Sequence, residues 1–283
     1  MSFSFDRKSF LKAAVTAVVA ASVLVVSACA PTAEVKDPSA LATVTAGKLT
    51  IGTGNPAYEP WVVGDKPESG EGYEAAVAYA VAAELGFAPE DVIWVRTSFD
   101  EAIAPGAKNF DFNLQQYSIT DERKNSVDFS SPYYETAQTV ITVKGSKAAS
   151  AKSLADLKGL AIGAATGTTS FDAIEKVIQP TSGALAFNNN DDAKAALAAG
   201  QVDAIVVDLP TAFYLTAVEL DGGLIVGQLE GAAAGDLFGL VLDKGSKLTA
   251  KVTAAVDALK ANGTLKKLQD KWLAGYAGAP VLK

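Results

Sequence analysis

The chain has 283 residues, a formal net charge of −8 and no histidine. An acidic chain argues against nucleic acid as a partner, because phosphate binding needs a basic face. The missing histidines remove the commonest general base and the commonest metal ligand together, so neither a cofactor nor a metal site is expected. The first segment, Met1-Ser2-Phe3-Ser4-Phe5-Asp6-Arg7-Lys8-Ser9-Phe10-Leu11-Lys12, is net positive, and an uncharged run of small and apolar residues follows over 13–28. That order predicts a secretory signal over 1–28. The apolar run is shorter than the roughly 20 residues that span a bilayer, which weakens a permanent anchor helix. The mature part, 29–283, suffices for two modest lobes. Losing Asp6, Arg7, Lys8 and Lys12 takes the formal charge from −8 to −10.

Cys29 is the only cysteine and cannot form an internal disulfide. Val26-Ser27-Ala28-Cys29 resembles a bacterial lipobox, which implies that Cys29 becomes an acylated N-terminus. Such an anchor holds a soluble body on the outer side of the cell membrane without a spanning helix. Arg7-Lys8-Ser9-Phe10-Leu11-Lys12 loosely resembles a twin-arginine export signal but carries lysine in the second place, so general export is favoured. Residues 29–47 read as a lipidated tether, rich in Pro, Thr, Ala and Ser with no apolar period.

Strands are predicted over 48–53, 92–95, 111–114 and 139–143. A helix over 74–85 has Val77, Val81 and Leu85 on one face and Gly86 as its stop. A second unit follows: a capping-box start at Ser153-Leu154-Ala155-Asp156, a strand at 160–163, helices over 171–178 and 191–199, and a strand over 202–207. Pro210 suits the first turn of the next helix. A strand at 237–241 precedes a helix capped by Ser246, and Leu265, Leu268 and Trp272 stripe a last one. Strands alternating with helices imply α/β layers around parallel-rich sheets. The stretches 109–114 and 200–205 echo each other, each passing from a helix end into a buried strand. Ligands in such folds sit beyond the carboxyl ends of strands, so the informative residues should follow Leu114 and Val207.

Residues 115–134 read Gln-Gln-Tyr-Ser-Ile-Thr-Asp-Glu-Arg-Lys-Asn-Ser-Val-Asp-Phe-Ser-Ser-Pro-Tyr-Tyr. Further motifs in order are Asn55-Pro56-Ala57-Tyr58-Glu59-Pro60-Trp61, Gly72-Tyr73-Glu74, Gly167-Thr168-Thr169-Ser170, Val207-Asp208-Leu209-Pro210 and Asn262-Gly263-Thr264 with Lys271-Trp272. Together they resemble the extracellular solute-binding family 3, the polar amino-acid binding lipoproteins of bacterial ABC importers. The resemblance spans nearly the whole mature chain. It implies a two-lobed periplasmic-binding-protein fold, type II-like, with a hinge and a cleft.

Arg123 has a planar fork that matches a carboxylate, and the resemblance makes it the α-carboxylate clamp. Ser118 would bond the carboxylate or ammonium, with Thr120 supporting the turn. Gly167-Thr168-Thr169-Ser170 puts donors ahead of a helix, and by resemblance Thr169 and Ser170 serve the carboxylate from the other lobe. Asp208 ends an apolar strand and would pair with the α-ammonium, its other reading being an N-cap. Tyr58 and Phe99 match the aromatic positions that sandwich the ligand, and Trp61 is either a third wall or structural. The chain departs from the family at Asn55, where basic-amino-acid binders usually have aspartate, and at Gln116, usually glycine or serine, where a bulky amide would intrude on the pocket. It also departs at Glu74, usually aspartate and often at the pocket rim, and at Ala165, which is small.

The expectation is therefore a non-enzymatic, monomeric binding protein. It captures a polar amino acid, neutral such as glutamine before basic or opine, and delivers it to an ABC permease and ATPase by lobe closure. A sensor subunit and a small-molecule lyase are the alternatives; no Gly-x-Ser-x-Gly elbow is present to support a hydrolase. Lobe 1 is expected over 48–142 plus 238–283 and lobe 2 over 147–235, with hinges near 142–144 and 236–237.

Overall fold

The computed structural model describes residues 37–229, 236–274 and 278–283; Cys29 and the signal expected over 1–28 lie outside the described residues. Among the described residues no helix is long and apolar enough to cross a membrane. The chain first forms β1 (Leu49–Gly54), α1 (Tyr73–Leu85), β2 (Val92–Thr97), α2 (Phe99–Ile103), β3 (Phe112–Asn113), β4 (Val127–Phe129), β5 (Tyr134–Thr136) and β6 (Gln138–Val143). It continues through α3 (Leu154–Leu157), β7 (Ile162–Ala165), α4 (Thr169–Ala173), β8 (Leu185–Phe187), α5 (Asn190–Ala198), β9 (Ala204–Asp208), α6 (Leu209–Tyr214) and β10 (Gly223–Leu229). The last elements are β11 (Asp236–Phe238), β12 (Val241–Asp243), α7 (Thr249–Ala261), α8 (Thr264–Trp272) and β13 (Val281–Leu282).

Eleven of these strands make two sheets of one pattern, and β5 and β11 form a separate two-stranded ladder. The first has the order β2-β1-β3-β12-β4 and the second β13-β10-β6-β9-β7-β8. In each, three parallel strands (β2, β1, β3; β8, β7, β9) are followed by one that runs against them (β12; β6) and one that pairs antiparallel with it and so returns to their direction (β4; β10). The pleat sorts side chains by alternation. Ala204 and Val206 of β9 enter one core while Ile205 and Val207 enter the other, and Val140 and Ile141 of β6 divide likewise. On the first sheet Phe112 and Leu242 face the core under α1, α7 and α8, whereas Val241 faces a smaller cluster with Tyr117. Trp61, Tyr73, Tyr134 and Phe238 pack edge-on or tilted in that larger core, with ring centroids 5.3–6.1 Å apart. Such pairs add about 0.5–1.5 kcal/mol each beyond area burial.

Gly72 starts α1 at φ +102°, and a Cβ there would lie 2.4 Å from the Trp61 carbonyl oxygen. Only glycine permits that approach, which aims the next turn, with Glu74, inward. The capping box expected at Ser153 is present, with Asp156 as its reciprocal partner. The helix expected over 171–178 begins earlier, at Thr169, because the Thr168 hydroxyl accepts from the Phe171 amide. Leu248, and not Ser246, occupies the N-cap of α7, while the Ser246 hydroxyl accepts from the Leu248 amide in the preceding turn.

Three boundary expectations are corrected. Residues 138–143 belong to the second sheet, so the first lobe cannot run to 142, and the crossover lies at β5, which pairs antiparallel with β11. The strand expected at 237–241 splits into β11 and β12 on different sheets, because Gly239 packs against Ile119 and Phe129, where a Cβ would meet atoms at 2.8–3.0 Å. The tail expected with the first lobe ends as β13 beside β10, on the edge of the second sheet. The end of the expected tether is also laid onto the body: Leu41 packs on the first core and the Val44 amide donates to Asp111 at 2.8 Å.

Candidate functional site

The carboxyl ends of the three parallel strands of each sheet converge on one cavity of about 280 Å³. From the first sheet come Asn55 and Tyr58 after β1, Phe99 after β2, and Gln115, Gln116 and Arg123 after β3. From the second come Ala165, Thr168, Thr169 and Ser170 after β7, Asn188–Asn190 after β8, and Asp208 at the end of β9. Eight of the nine expected ligand residues line it; Ser118 does not. Ser118 is buried and its hydroxyl pairs with that of Thr169 at 3.1 Å. Asn188–Asn190 escaped the sequence reading because the three-residue β8 gives no periodic signal, although Asn189 caps α5 through the Asp192 amide.

Arg123 sits in the turn after β3, where the Thr120 hydroxyl accepts from its amide at 3.1 Å. Its Nη1 donates to the Ser118 carbonyl at 2.8 Å and its Nη2 to the Gly167 carbonyl at 2.9 Å. The guanidinium also lies over the Phe99 ring, 5.3 Å from the centroid. Burial lowers its pKa, and among the described residues no carboxylate lies within ion-pair distance of it. Its two protein acceptors are neutral, and the carboxylates of Asp236, Asp172 and Asp208 act on it only from beyond ion-pair distance.

Asp208 occupies the N-cap position of α6, but its side chain makes no capping hydrogen bond. The carboxylate instead accepts from the Gln138 side chain at 2.9 Å. Burial first, then the charge of Asp236, pushes its pKa up to about 8; Glu74 adds to the rise, while Gln138 and Arg123 oppose it. Gln138 also accepts from the Ser170 hydroxyl at 2.6 Å. The sequence reading missed Gln138 and placed Asp236 only at a boundary between the lobes, not beside the site.

Glu74 corrects an expectation. It is not at a water-screened rim but only 2 % exposed, on the first turn of α1. Its carboxylate is held by the Tyr133 hydroxyl, by the Gln116 amide at 2.8 Å and by the Gln116 side chain. Burial pushes its pKa up to about 7 against those donors. Gln116 has φ +54°, a conformation in which glycine would be at ease, and the bonds to Glu74 hold it there. Its amide is turned to Glu74. Gln115 is buried and bonds Thr97 and Asn113, so it braces β2 against β3. Trp61 is fully buried in the first core and its indole nitrogen donates to Thr211 at 3.0 Å; it is structural and not a cavity wall. The Tyr58 phenol faces Asp191, and burial pushes its pKa up.

The sequence profile of the bacterial extracellular solute-binding proteins, family 3, matches residues 49–275. The L-arginine-binding protein of Pseudomonas aeruginosa is 32% identical over 223 residues, 76% of this chain and 84% of that protein. The ABC transporter glutamine-binding protein of Bacillus subtilis is 29% identical over 212 residues, 73% of this chain and 75% of that one. Among solved structures, an ancestral arginine-binding protein bound to arginine superposes with a TM-score of 0.67 at 33% identity, covering 81% of this chain and 99% of that one. An ancestral amino acid-binding protein, described as a precursor of cyclohexadienyl dehydratase, gives 0.67 at 31%, covering 80% and 95%. With its two sheets and the cavity between their strand ends, the chain has the two-lobed α/β periplasmic-binding fold, and it belongs to the bacterial extracellular solute-binding proteins, family 3.

Proposed function

We propose that this protein captures a polar α-amino acid outside the cytoplasm and delivers it to an ABC permease and its ATPase. The observation that carries the reading is a pair of opposite charges, Arg123 and Asp208, on different sheets but lining one cavity, neither paired with an opposite charge of the protein. A zwitterion satisfies both at once: its carboxylate takes the free edge of the guanidinium and its ammonium takes Asp208. Thr169 and Ser170 add hydroxyls from the second sheet, Tyr58 and Phe99 flank the aliphatic part, and Asn55 and Gln116 meet the side chain. Ser118 acts one step back, through Thr169.

The lobes are the bodies built on the two sheets, 49–134 with 238–273 and 138–229 with 281–282, hinged where β5 pairs with β11. Ligand contacts from both bodies favour the closed arrangement, which the permease reads. Acylated Cys29 tethers the protein to the membrane, and Cys29→Ala releases it into the soluble fraction with its fold intact. The side chain is neutral, such as that of glutamine. Glu74 is already held by three protein donors, and an added buried cation would need a carboxylate free to pair with it.

A lyase on the same fold is the second reading, favoured by one observation: a carboxyl with a pKa near 7 on the cavity wall is poised for acid–base work. A thermal-shift and calorimetric panel of the proteinogenic amino acids, opines and polyamines separates these. Glutamine binding more tightly than arginine, unchanged after long incubation, is expected. Arginine binding far more tightly overturns the neutral side chain alone, no amino acid binding overturns the reading, and turnover of a bound compound moves it to the lyase.

A further inference from the structure

Behind the cavity wall lies a group of side chains that the amino-acid clamp does not require. Gln138, the first residue of β6 and 1 % exposed, stands where the chain crosses from the first sheet to the second. Its amide nitrogen donates to Asp208 Oδ1 at 2.9 Å and to Asp236 Oδ2, and it lies 3.3 Å from the Thr169 hydroxyl. Its amide oxygen accepts from Ser170 Oγ at 2.6 Å. Asp236 opens β11, the hinge strand opposite Thr136. One amide nitrogen therefore joins two carboxylates, which can lie no farther apart than the sum of two hydrogen bonds. No lysine or arginine pairs with either of them among the described residues.

Two carboxylates held this close repel, and the repulsion is relieved by a cation placed beside them or by a proton. We propose that Gln138 and Asp236 are positioning residues of the ammonium site. Asp236 adds the second negative charge that selects a ligand with an α-ammonium group, and Gln138 fixes Asp208 and Ser170 while tying both to the hinge strand. The proposal rests on the amino-acid reading above and gives that reading a mechanism for rejecting acids that lack the amine.

The pH behaviour follows. Asp208 is faced by Asp236, Glu74, Arg123, Tyr133 and Tyr134. With its pKa at about 8, much of it is protonated at neutral pH, and the incoming ammonium favours the ionised form. Binding therefore releases protons, and affinity rises between about pH 6 and pH 8. The neighbours act in opposite directions, since the charge of Asp236 raises this pKa and the hydrogen bond from Gln138 lowers it.

The experiment is titration calorimetry across that pH range with L-glutamine and with glutaramic acid, its counterpart without the amine. If the panel selects arginine, arginine and 5-guanidinopentanoic acid take their place. The variants are Asp236→Asn and Gln138→Leu. Binding of the amino acid by the unaltered protein tests the parent reading and is scored separately. Wild type is expected to release protons on binding. Asp236→Asn is expected to lose roughly tenfold in the preference for the amine-bearing compound and to move the pH profile lower. Gln138→Leu is expected to move it higher. A general loss of packing does not produce shifts of opposite sign. Amino-acid binding without proton release overturns the proposal, even if neither variant folds. So do variant profiles parallel to wild type with an unchanged preference.

Discussion

The two ends of the cavity follow opposite electrostatic plans. At one end Arg123 bonds only backbone carbonyls, Ser118 from its own sheet and Gly167 from the other, so its geometry is set while its charge stays free. At the other end negative charge is in surplus: Asp208 and Asp236 share one amide donor, and Glu74 adds its field. The difference teaches how a site can favour a zwitterion over a simple anion or cation. In the proposed reading orientation is stored at the cationic end, where planar donors have fixed acceptors, and discrimination at the anionic end, where crowding is relieved by a cation or a proton.

The largest effect breaks the cationic end. Arg123→Ala strands the ligand carboxylate and is expected to lose about 2–5 kcal/mol of binding, roughly 30- to several-thousand-fold by calorimetry. Arg123→Lys keeps the charge without the fork and is expected to lose less. Normal affinity in Arg123→Ala would end the comparison. At the anionic end, Asp208→Asn keeps the shape but removes the charged acceptor. It is expected to lose about 1.5–3 kcal/mol and most of the rise in affinity with pH. Retention of that rise would assign the titration to another group.

The two ends also differ in how far they were legible. Arg123 and the turn that holds it fall within one short stretch, 115–134; the strand-end rule pointed to the neighbourhood of Asp208, and the family resemblance gave that residue its expected role. Long elements with a clear apolar step, such as α1 with its Gly86 stop, were readable for the same local reason. The partners of Asp208 were not, because Gln138 and Asp236 arrive from 70 residues before Asp208 and 98 residues beyond Gln138. The burial of Glu74 depends likewise on Tyr133 and Gln116, 59 and 42 residues away. The first crossing between the sheets, expected at 142–144, was misplaced because β5 has three residues and no room for a period, whereas the second, expected at 236–237, falls within β11. Gly239 looked like the middle of a strand, and only tertiary contact with Ile119 and Phe129 marks it as a break.

The next effect, on stability and not on binding, concerns the charge at Glu74. Its pKa in the folded protein, about 7, is above the ordinary carboxyl value, so between about pH 4.5 and 7 the folded state binds more protons than the unfolded state. Stability therefore falls as pH rises through that window and levels above it. Glu74→Gln is expected to flatten this fall, leaving the variant on the order of 3 kcal/mol more stable at pH 8, relative to wild type, than at pH 4. Thermal denaturation without ligand at both pH values measures it, and identical slopes would mean that the Gln116 and Tyr133 hydrogen bonds keep Glu74 ionised throughout.

The smallest effect probes how the two ends are brought together without touching either. Trp61 lies in the core of the first sheet, and its indole N–H reaches Thr211 of α6, which belongs to the second. Neither residue lines the ligand cavity. When the two bodies are together this bond satisfies a donor that would otherwise be buried and unpaired; when they part, water can serve it equally well. Thr211→Val keeps the branched shape and removes the acceptor, so the penalty falls on the closed arrangement alone, about 1 kcal/mol. Ligand affinity is then expected to drop about fivefold through a smaller closed population, with the preference for the amine-bearing compound and the pH profile unchanged. A shift in either would mean that the contact also shapes the anionic end, and an affinity equal to wild type would mean that closure does not depend on it.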